Sequence, residues 1–414
     1  MGEFCGYRCS ICGHEYLPGQ VEYTCPLDGG NLDVVLDYQA IRQHYQIEDF
    51  SCRSEPSLWR YLPLLPVSDP GGDGTTIRSA GWTPIYRPPG LLTQTGLRRM
   101  WIKDEGRNPT ASFKDRASAV VVGRAQQTRA QVVVTASTGN AGAALAGMSA
   151  AVGQKAVIFA PRTAPAAKIA QLLIYGAQVI LVDGNYDQAF DLTIAAANEF
   201  GWYCRNTGYN PFTVEGKKTA AYEIWESICL QMPEEERLSV FVSVGDGNII
   251  SGIHKGFKDL FELGWLANMP RLFGVQAEGS AAVANAFNAG NEKITPVQAQ
   301  TLADSISVDL PRDGVRAIRA ARDTGGKYLT VSDAQILDAI AALGRVGIFA
   351  EPAGATAYAG LMKALSQGII TADDPVLVLN TGNGLKDIQA AMKTVPQAPI
   401  IEPTLNALKK ILAR

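Results

Sequence analysis

From residue 132 to residue 379 the sequence alternates between short apolar runs rich in β-branched residues and longer helical stretches. The runs at 132–134, 156–159, 179–182, 240–244, 272–275 and 376–379 predict buried strands. The stretches 141–151, 166–175, 186–199, 249–263, 333–343 and 356–365 predict helices between them. A strand that is apolar on both faces needs cover on both, and helical crossovers supply it by making neighbouring strands parallel. The expected fold class is therefore α/β, with parallel sheets in three-layer units. Two groups of such units flank an irregular stretch at 206–218, which predicts two domains with a cleft between them. No internal repeat is evident.

A length of 414 residues leaves room for this arrangement and for smaller appendages. Lys plus Arg number 37 against 40 for Asp plus Glu, so a large basic surface for nucleic acid is not expected. The longest apolar candidate, 141–153, falls short of the roughly 20 residues of a membrane span. The chain does not open with a basic segment followed by an apolar one, so a cytoplasmic location is expected.

Four of the seven cysteines, Cys5, Cys9, Cys12 and Cys25, fall in the first 25 residues, whereas Cys52, Cys204 and Cys229 are scattered. Cys9-Ser-Ile-Cys12-Gly matches the first half of a zinc ribbon, where one tight turn presents two thiolates to the same ion. The second half, Cys25-Pro-Leu-Asp28-Gly, carries Asp28 where a fourth thiolate is expected. Asp28 can itself ligate zinc, Cys5 or His14 can replace it, or the knuckle is a metal-free remnant held by its turns. The lost soft thiolate tilts the expectation towards the empty knuckle.

Four segments carry chemistry, each where an α/β fold places ligands, at a strand end or a helix start. Asn108-Pro-Thr-Ala-Ser-Phe-Lys114-Asp-Arg116 puts a lysine after an irregular turn, at a helix start. A positioned, desolvated lysine is the nucleophile that Schiff-base chemistry requires. Ser137-Thr138-Gly139-Asn140 follows a strand and exposes backbone N–H groups to an anion. Val244-Gly245-Asp246-Gly247-Asn248-Ile249 is a glycine-rich strand-to-helix turn of the kind that cradles phosphate. Asn380-Thr381-Gly-Asn-Gly-Leu-Lys386-Asp387 is a polar turn after the last strand. Taken singly, an ordinary surface lysine or βα turn explains each. The G-x-G-x-x-G spacing is not met and no acidic residue is placed for a ribose, which disfavours a nicotinamide dehydrogenase.

Taken in order, and with Glu351-Pro-Ala-Gly-Ala-Thr356 between the last two, these motifs resemble the fold-type II (tryptophan synthase β-like) pyridoxal-phosphate-dependent enzymes. Within them the chain looks most like the threonine synthase branch, some of whose members carry an N-terminal Cys-rich knuckle. The resemblance covers roughly residues 5–30 and 80–390. Residues 36–80, with their prolines, aromatics and a glycine-rich loop, read as an irregular arm lying over a neighbouring surface or subunit, while the resemblance implies a knuckle at 1–35 and a large cofactor-binding domain from 81–110 and 215–400. It also implies a small α/β domain at 111–214 and a homodimer, and residues 401–414 are expected to form a C-terminal helix.

By the same resemblance, Lys114 would bond to the cofactor and later move the α-proton. Asn140 would meet the cofactor's phenolic oxygen, Gly245, Asp246, Gly247, Asn248 and Ile249 its phosphate, and Thr381 its ring nitrogen. Ser137, Thr138 and Gly139 would bind the substrate carboxylate, while Asn206, Thr207 and Lys218 would bind the leaving phosphate. Two positions depart from the branch's pattern: Thr213 stands where arginine is expected, and Asp246 where an amide is common. Lys217 offers a replacement positive charge.

The activity implied is a threonine synthase-like lyase turning O-phospho-L-homoserine and water into L-threonine and phosphate. The nearest alternatives are a cysteate synthase-like exchange on phosphoserine with sulfite and a serine/threonine dehydratase. A zinc-ribbon binding protein on an inactive scaffold is the reading from another class, and the intact Lys114 and Ser-Thr-Gly-Asn set argue against it.

Overall fold

The computed structural model describes residues 4–51 and 54–413, so Cys52 lies outside the described residues. Two open sheets form the body. The larger has six strands in the order Tyr328–Val331, Arg271–Ala277, Ser239–Ser243, Val376–Asn380, Met100–Asp104 and Ile85–Tyr86. Its strands run parallel except the short edge strand Ile85–Tyr86. The smaller is fully parallel, in the order Gln178–Val182, Lys155–Pro161, Val132–Ala136 and Tyr203–Cys204. The chain is thus α/β with parallel sheets.

One apolar core is shared, drawing Val133 and Ile158 from the small sheet and Val240 and Leu272 from the large one. Separate cores cover the far faces, around Phe241 and Tyr358 on the large sheet and Phe159 and Phe190 on the small one. The central strands of each sheet are therefore buried on both faces, which is why they read as continuous apolar runs rather than as alternation, whereas the edge strand Gln178–Val182 is partly exposed. Three helices, Lys114–Gln127, Phe212–Ser227 and Asn248–Glu262, pack together in the shared layer. Gly216 permits this: a Cβ there would lie 2.1 Å from the Arg116 carbonyl oxygen.

The irregular stretch expected at 206–218 is irregular only as far as Pro211, after which Phe212 opens a helix. That helix is buried all round, with Thr213, Glu215, Lys217, Lys218 and Thr219 inaccessible, so it shows no polar face and no apolar period. The strand Met100–Asp104 escaped notice for a similar reason, since its Lys103 is buried against Glu223 at 2.6 Å. The arm packs on its own chain: Trp59, Tyr61 and Leu64 are buried, and Arg60 pairs with Glu226 at 2.6 Å. At the N-terminus, Phe4–Cys9 pairs antiparallel with Glu15–Tyr16 and with Leu32–Leu36. The helix Leu405–Leu412 falls inside the expected C-terminal segment.

Arg116, Lys103, Glu105 and Glu223 form a buried ion cluster behind the turn that presents Lys114. Burial pushes the Glu223 carboxyl up, but Arg116 and Lys103 outweigh it and hold the group well below its ordinary 4.5. A depressed folded-state pKa gives stability that is complete above the unfolded value and is lost as pH falls through the folded one. Urea midpoints should therefore drop between about pH 5 and about pH 2, and the slope should be shallower in Glu223→Gln, which has no charge to lose. Equal slopes in the two proteins would contradict this role.

Candidate active site

Two strands far apart in sequence, Ser239–Ser243 and Val376–Asn380, are neighbours in the large sheet. Their C-terminal ends open side by side, and the Ser243 and Thr381 hydroxyls lie 3.4 Å apart. A cavity sits there, lined by Lys114, Asn140, Thr207, Lys217, the turn 243–249, Glu351 and Thr381. It is the crevice at strand ends where open α/β sheets hold ligands. An adjoining hollow shares Asn140, Ser305, Glu351 and Ala353 with it and adds Thr138 and Gly139. Lys168 reaches Asp304 at 2.5 Å, tying the small-sheet helix Ala166–Ile174 across this cleft.

Local backbone presents each group. Lys114 is the first residue of its helix, and the turn before it is pinned to the last strand's turn. Phe113 N–H donates to Thr381 O at 2.9 Å and Asn383 N–H to Ala111 O at 3.0 Å. Asp115 accepts from Thr110 N–H at 2.7 Å and from the Thr110 hydroxyl. Gly247 adopts φ +92°, a left-handed turn that starts the helix Asn248–Glu262. The first turn of that helix offers unpaired N–H groups to an anion.

Electrostatics favour an anion as well. Burial lowers the Lys114 amine, and Arg205 nearby lowers it further. Burial, Lys114 and Arg205 together push Lys217 well below its ordinary value. Burial also brings Arg205 down to about 10. Of the two carboxyls in the cleft, Asp246 and Glu351 are both raised by burial, towards the neutral form. Three basic groups, each shifted towards its neutral form, thus face carboxyls shifted the same way, and a bound anion would favour the charged form of the bases.

Most of the residues expected at the site converge here: Lys114, Asn140, Gly245, Asp246, Gly247, Asn248, Ile249, Thr207 and Thr381 line the main cavity. The Asn140 amide is already engaged, donating to Glu351 Oε1 at 2.8 Å and Oε2 at 3.1 Å. Ser137 accepts from Gly139 N–H at 3.2 Å, bracing the turn whose Thr138 and Gly139 line the hollow. Asn206 accepts from Ala136 N–H at 2.8 Å and from the Thr135 hydroxyl at 3.0 Å. Lys218 is placed elsewhere. Its amine is buried between Asp259 at 2.8 Å and Glu215 at 2.6 Å, beside Tyr222, so the cleft is served by its neighbour Lys217. Lys217 donates to Asn248 Oδ1 at the head of the phosphate-type turn.

Sequence reasoning missed Arg205 altogether and gave Glu351 no role, although the Glu-Pro-Ala-Gly motif was visible. The cysteine knuckle shares no residue with the cleft lining; it brings Cys9, Cys12, Cys25 and Asp28 together, without Cys5 or His14.

Comparison with known proteins agrees with this geometry. The family described as pyridoxal-phosphate dependent enzyme matches residues 77–382. A threonine synthase of Methanocaldococcus jannaschii is 39% identical over 408 residues, covering 98% of each chain. One from Methanosarcina acetivorans is 35% identical over 408 residues with the same coverage. Among solved structures, the processed form of threonine deaminase isoform 2 from Solanum lycopersicum superposes with a TM-score of 0.67 at 22% identity, covering 82% of this chain and 92% of that one. Maize serine racemase gives 0.63 at 22% identity over 75% and 91%. With a lysine, a phosphate-type turn and a polar strand end assembled in one cleft, the chain belongs to the pyridoxal-phosphate dependent enzymes, and among them to the threonine synthase-like members.

Proposed function

We propose that this enzyme converts O-phospho-L-homoserine and water into L-threonine and phosphate. The observation that carries the reading is a second set of donors next to Thr207, which lines the cleft, with Arg205 close enough to Lys114 and Lys217 to lower both amines. Arg205 is fully buried, meets no carboxylate within hydrogen-bond distance among the described residues, and donates to Ser118 at 3.2 Å and Thr207 at 2.6 Å. Its remaining Nη2 and the Asn206 Nδ2 are buried with no hydrogen-bond partner among the described residues. Unpartnered buried donors are costly unless a ligand meets them. A substrate phosphate would do so, with Lys217 between the two anion seats.

The cofactor fits the first seat: backbone N–H groups of 245–249 would take its phosphate, Lys114 would hold it covalently, and Thr381 would face its ring nitrogen. Bound there, pyridoxal phosphate supplies an electron sink conjugated to the substrate's amino carbon. A neutral hydroxyl at Thr381 holds no proton on the ring, which suits elimination and replacement at the side chain over transamination. Thr138 and Gly139, before the helix Asn140–Ala151, would orient the substrate carboxylate.

Lys114, with its lowered pKa, would take the proton from Cα. Loss of a Cβ proton then lets the Cγ–O bond break, phosphate leaving with the electron pair into the field of Arg205 and Lys217. A proton returns to Cγ, the oxygen of water bonds to Cβ, and Cα is reprotonated as threonine departs. Comparing products from O-phosphohomoserine, from O-phosphoserine with sulfite, and from threonine tests the assignment. Threonine and phosphate from the first alone are expected; faster turnover of either other substrate overturns it.

Arg205→Gln should raise both the KM for O-phosphohomoserine and the inhibition constant of inorganic phosphate by roughly tenfold or more, since a buried charged hydrogen bond is lost. Cofactor absorbance should stay unchanged, and equal KM values for the two proteins would remove Arg205 from the seat. A homodimer paired through the large-sheet units and a cytoplasmic location complete the reading. No disulfide joins the described cysteines, and no helix among the described residues is long and apolar enough to cross a membrane. Sedimentation at the monomer mass would rule out the dimer.

A further inference from the structure

The N-terminal knuckle is built from two matching turns. Cys9-x-x-Cys12-Gly13 closes with Gly13 N–H on Cys9 O at 3.1 Å, and Cys25-x-x-Asp28-Gly29 with Gly29 N–H on Cys25 O at 2.8 Å. Both glycines are left-handed, φ +74° and +71°. Asp28 therefore occupies in the second turn the place that Cys12 holds in the first. The ligand atoms of Cys9, Cys12, Cys25 and Asp28 all lie within 4.8 Å of one another.

Distances across this cluster match a metal's coordination shell. Bonds of about 2.3 Å from a tetrahedral zinc to sulfur place two thiolates about 3.8 Å apart. Cys12 Sγ and Cys25 Sγ are 3.8 Å apart, far beyond a disulfide. Cys9 Sγ stands 3.3 and 3.5 Å from the Asp28 oxygens, near the shorter sulfur–oxygen edge of the same tetrahedron. Outer groups orient the ligands: Ile11 N–H points to Cys9 Sγ at 3.3 Å, Gly30 N–H to Asp28 Oδ1 at 2.8 Å, and the Tyr16 hydroxyl lies 3.0 Å from Cys25 Sγ. His14 is not one of the clustered ligands, and its ring packs on the Tyr16 ring at 4.7 Å.

The knuckle is tied to Arg316, Arg319 and Lys255 through Leu32, Asp33, Ser10 and Val34, and it also leans on the segment 204–212. Tyr23 stacks on Tyr209 at 4.6 Å, its hydroxyl accepts from Cys204 N–H at 3.0 Å, and Asn31 Nδ2 donates to Gly208 O at 2.6 Å. Phe4 and Tyr7 pack edge-on against Phe212. The residues so braced, 204–212, include Arg205, Asn206 and Thr207. We propose that Cys9, Cys12, Cys25 and Asp28 hold one zinc-class divalent ion in a closed structural site, and that the knuckle it folds braces the segment carrying the second anion seat. The ion site stands on its own geometry; only the kinetic consequence rests on the proposed function.

Elemental analysis of the holoenzyme, before and after incubation with zinc and gel filtration, is the test, together with Cys25→Ser, Asp28→Ala and Asp28→Cys. One ion per chain is expected in the native protein and in Asp28→Cys, with loss in Cys25→Ser and weakened retention in Asp28→Ala. Cadmium exchange should give thiolate charge-transfer absorption that is stronger in Asp28→Cys than in the native protein, a result that does not depend on the disruptive variants folding. Hydrogen exchange in metal-depleted holoenzyme should rise at 4–36 and at 204–212 together, and KM for the phosphorylated substrate should rise severalfold with cofactor absorbance unchanged. No ion in the native protein even after zinc incubation, or full retention in Cys25→Ser, overturns the site. Faster exchange confined to 4–36 overturns the bracing role. Failure of the proposed reaction would leave the metal content and exchange results intact, so the two ideas fail separately.

Discussion

Lys114→Ala is expected to lower kcat by about 10²–10⁴-fold or more, because the group that takes and returns the Cα proton is gone. The effect should be on turnover rather than on cofactor content alone, since the turn 245–249 and Lys217 remain to hold a phosphate. Borohydride reduction should fix the cofactor to Lys114 in the native protein and to nothing in the variant. The lowered pKa of this amine fits the role: burial and the nearby Arg205 shift it towards the neutral, nucleophilic form. Reduction that labels Lys217 instead, or an active Lys114→Ala enzyme, would break the assignment.

Lys218→Ala should act quite differently, costing about 3–5 kcal/mol of stability through stranded buried carboxylates. Asp259 is pushed up by burial but drawn well below its ordinary range by Lys218 and Lys255, so it stays charged in the folded protein. Removing the Lys218 amine leaves it and Glu215 short of a partner at 2.8 and 2.6 Å. Denaturant midpoints should fall sharply, while the surviving folded enzyme keeps its KM for O-phosphohomoserine. Unchanged stability with a raised KM would return Lys218 to the substrate site.

The contrast between these adjacent lysines shows where sequence reading stops. Strands such as Ser239–Ser243 and helices such as Tyr186–Phe200 are legible because burial on two faces, or on one, writes itself into the apolar pattern. The turns at Gly245 and Thr381 are legible because strand ends followed by glycine and polar residues mark the ligand edge of an α/β sheet. Successive helix residues, however, point about 100° apart, so choosing Lys217 over Lys218 requires the helix phase. Phe212–Ser227 conceals its phase by being buried all round. Arg205 was hidden for another reason: a buried guanidinium lacking a carboxylate looks, in one dimension, like any surface arginine. The Asn140–Glu351 pair joins residues 211 positions apart, and only folding brings them into contact.

Turnover of O-phospho-L-homoserine in ¹⁸O-labelled water is the most direct measurement of the central claim. If phosphate leaves by Cγ–O cleavage and water adds at Cβ, the threonine hydroxyl carries the label and the released phosphate carries none. Labelled phosphate accompanied by homoserine would instead show attack at phosphorus, and would contradict the assignment of this cleft to a threonine-forming elimination and replacement.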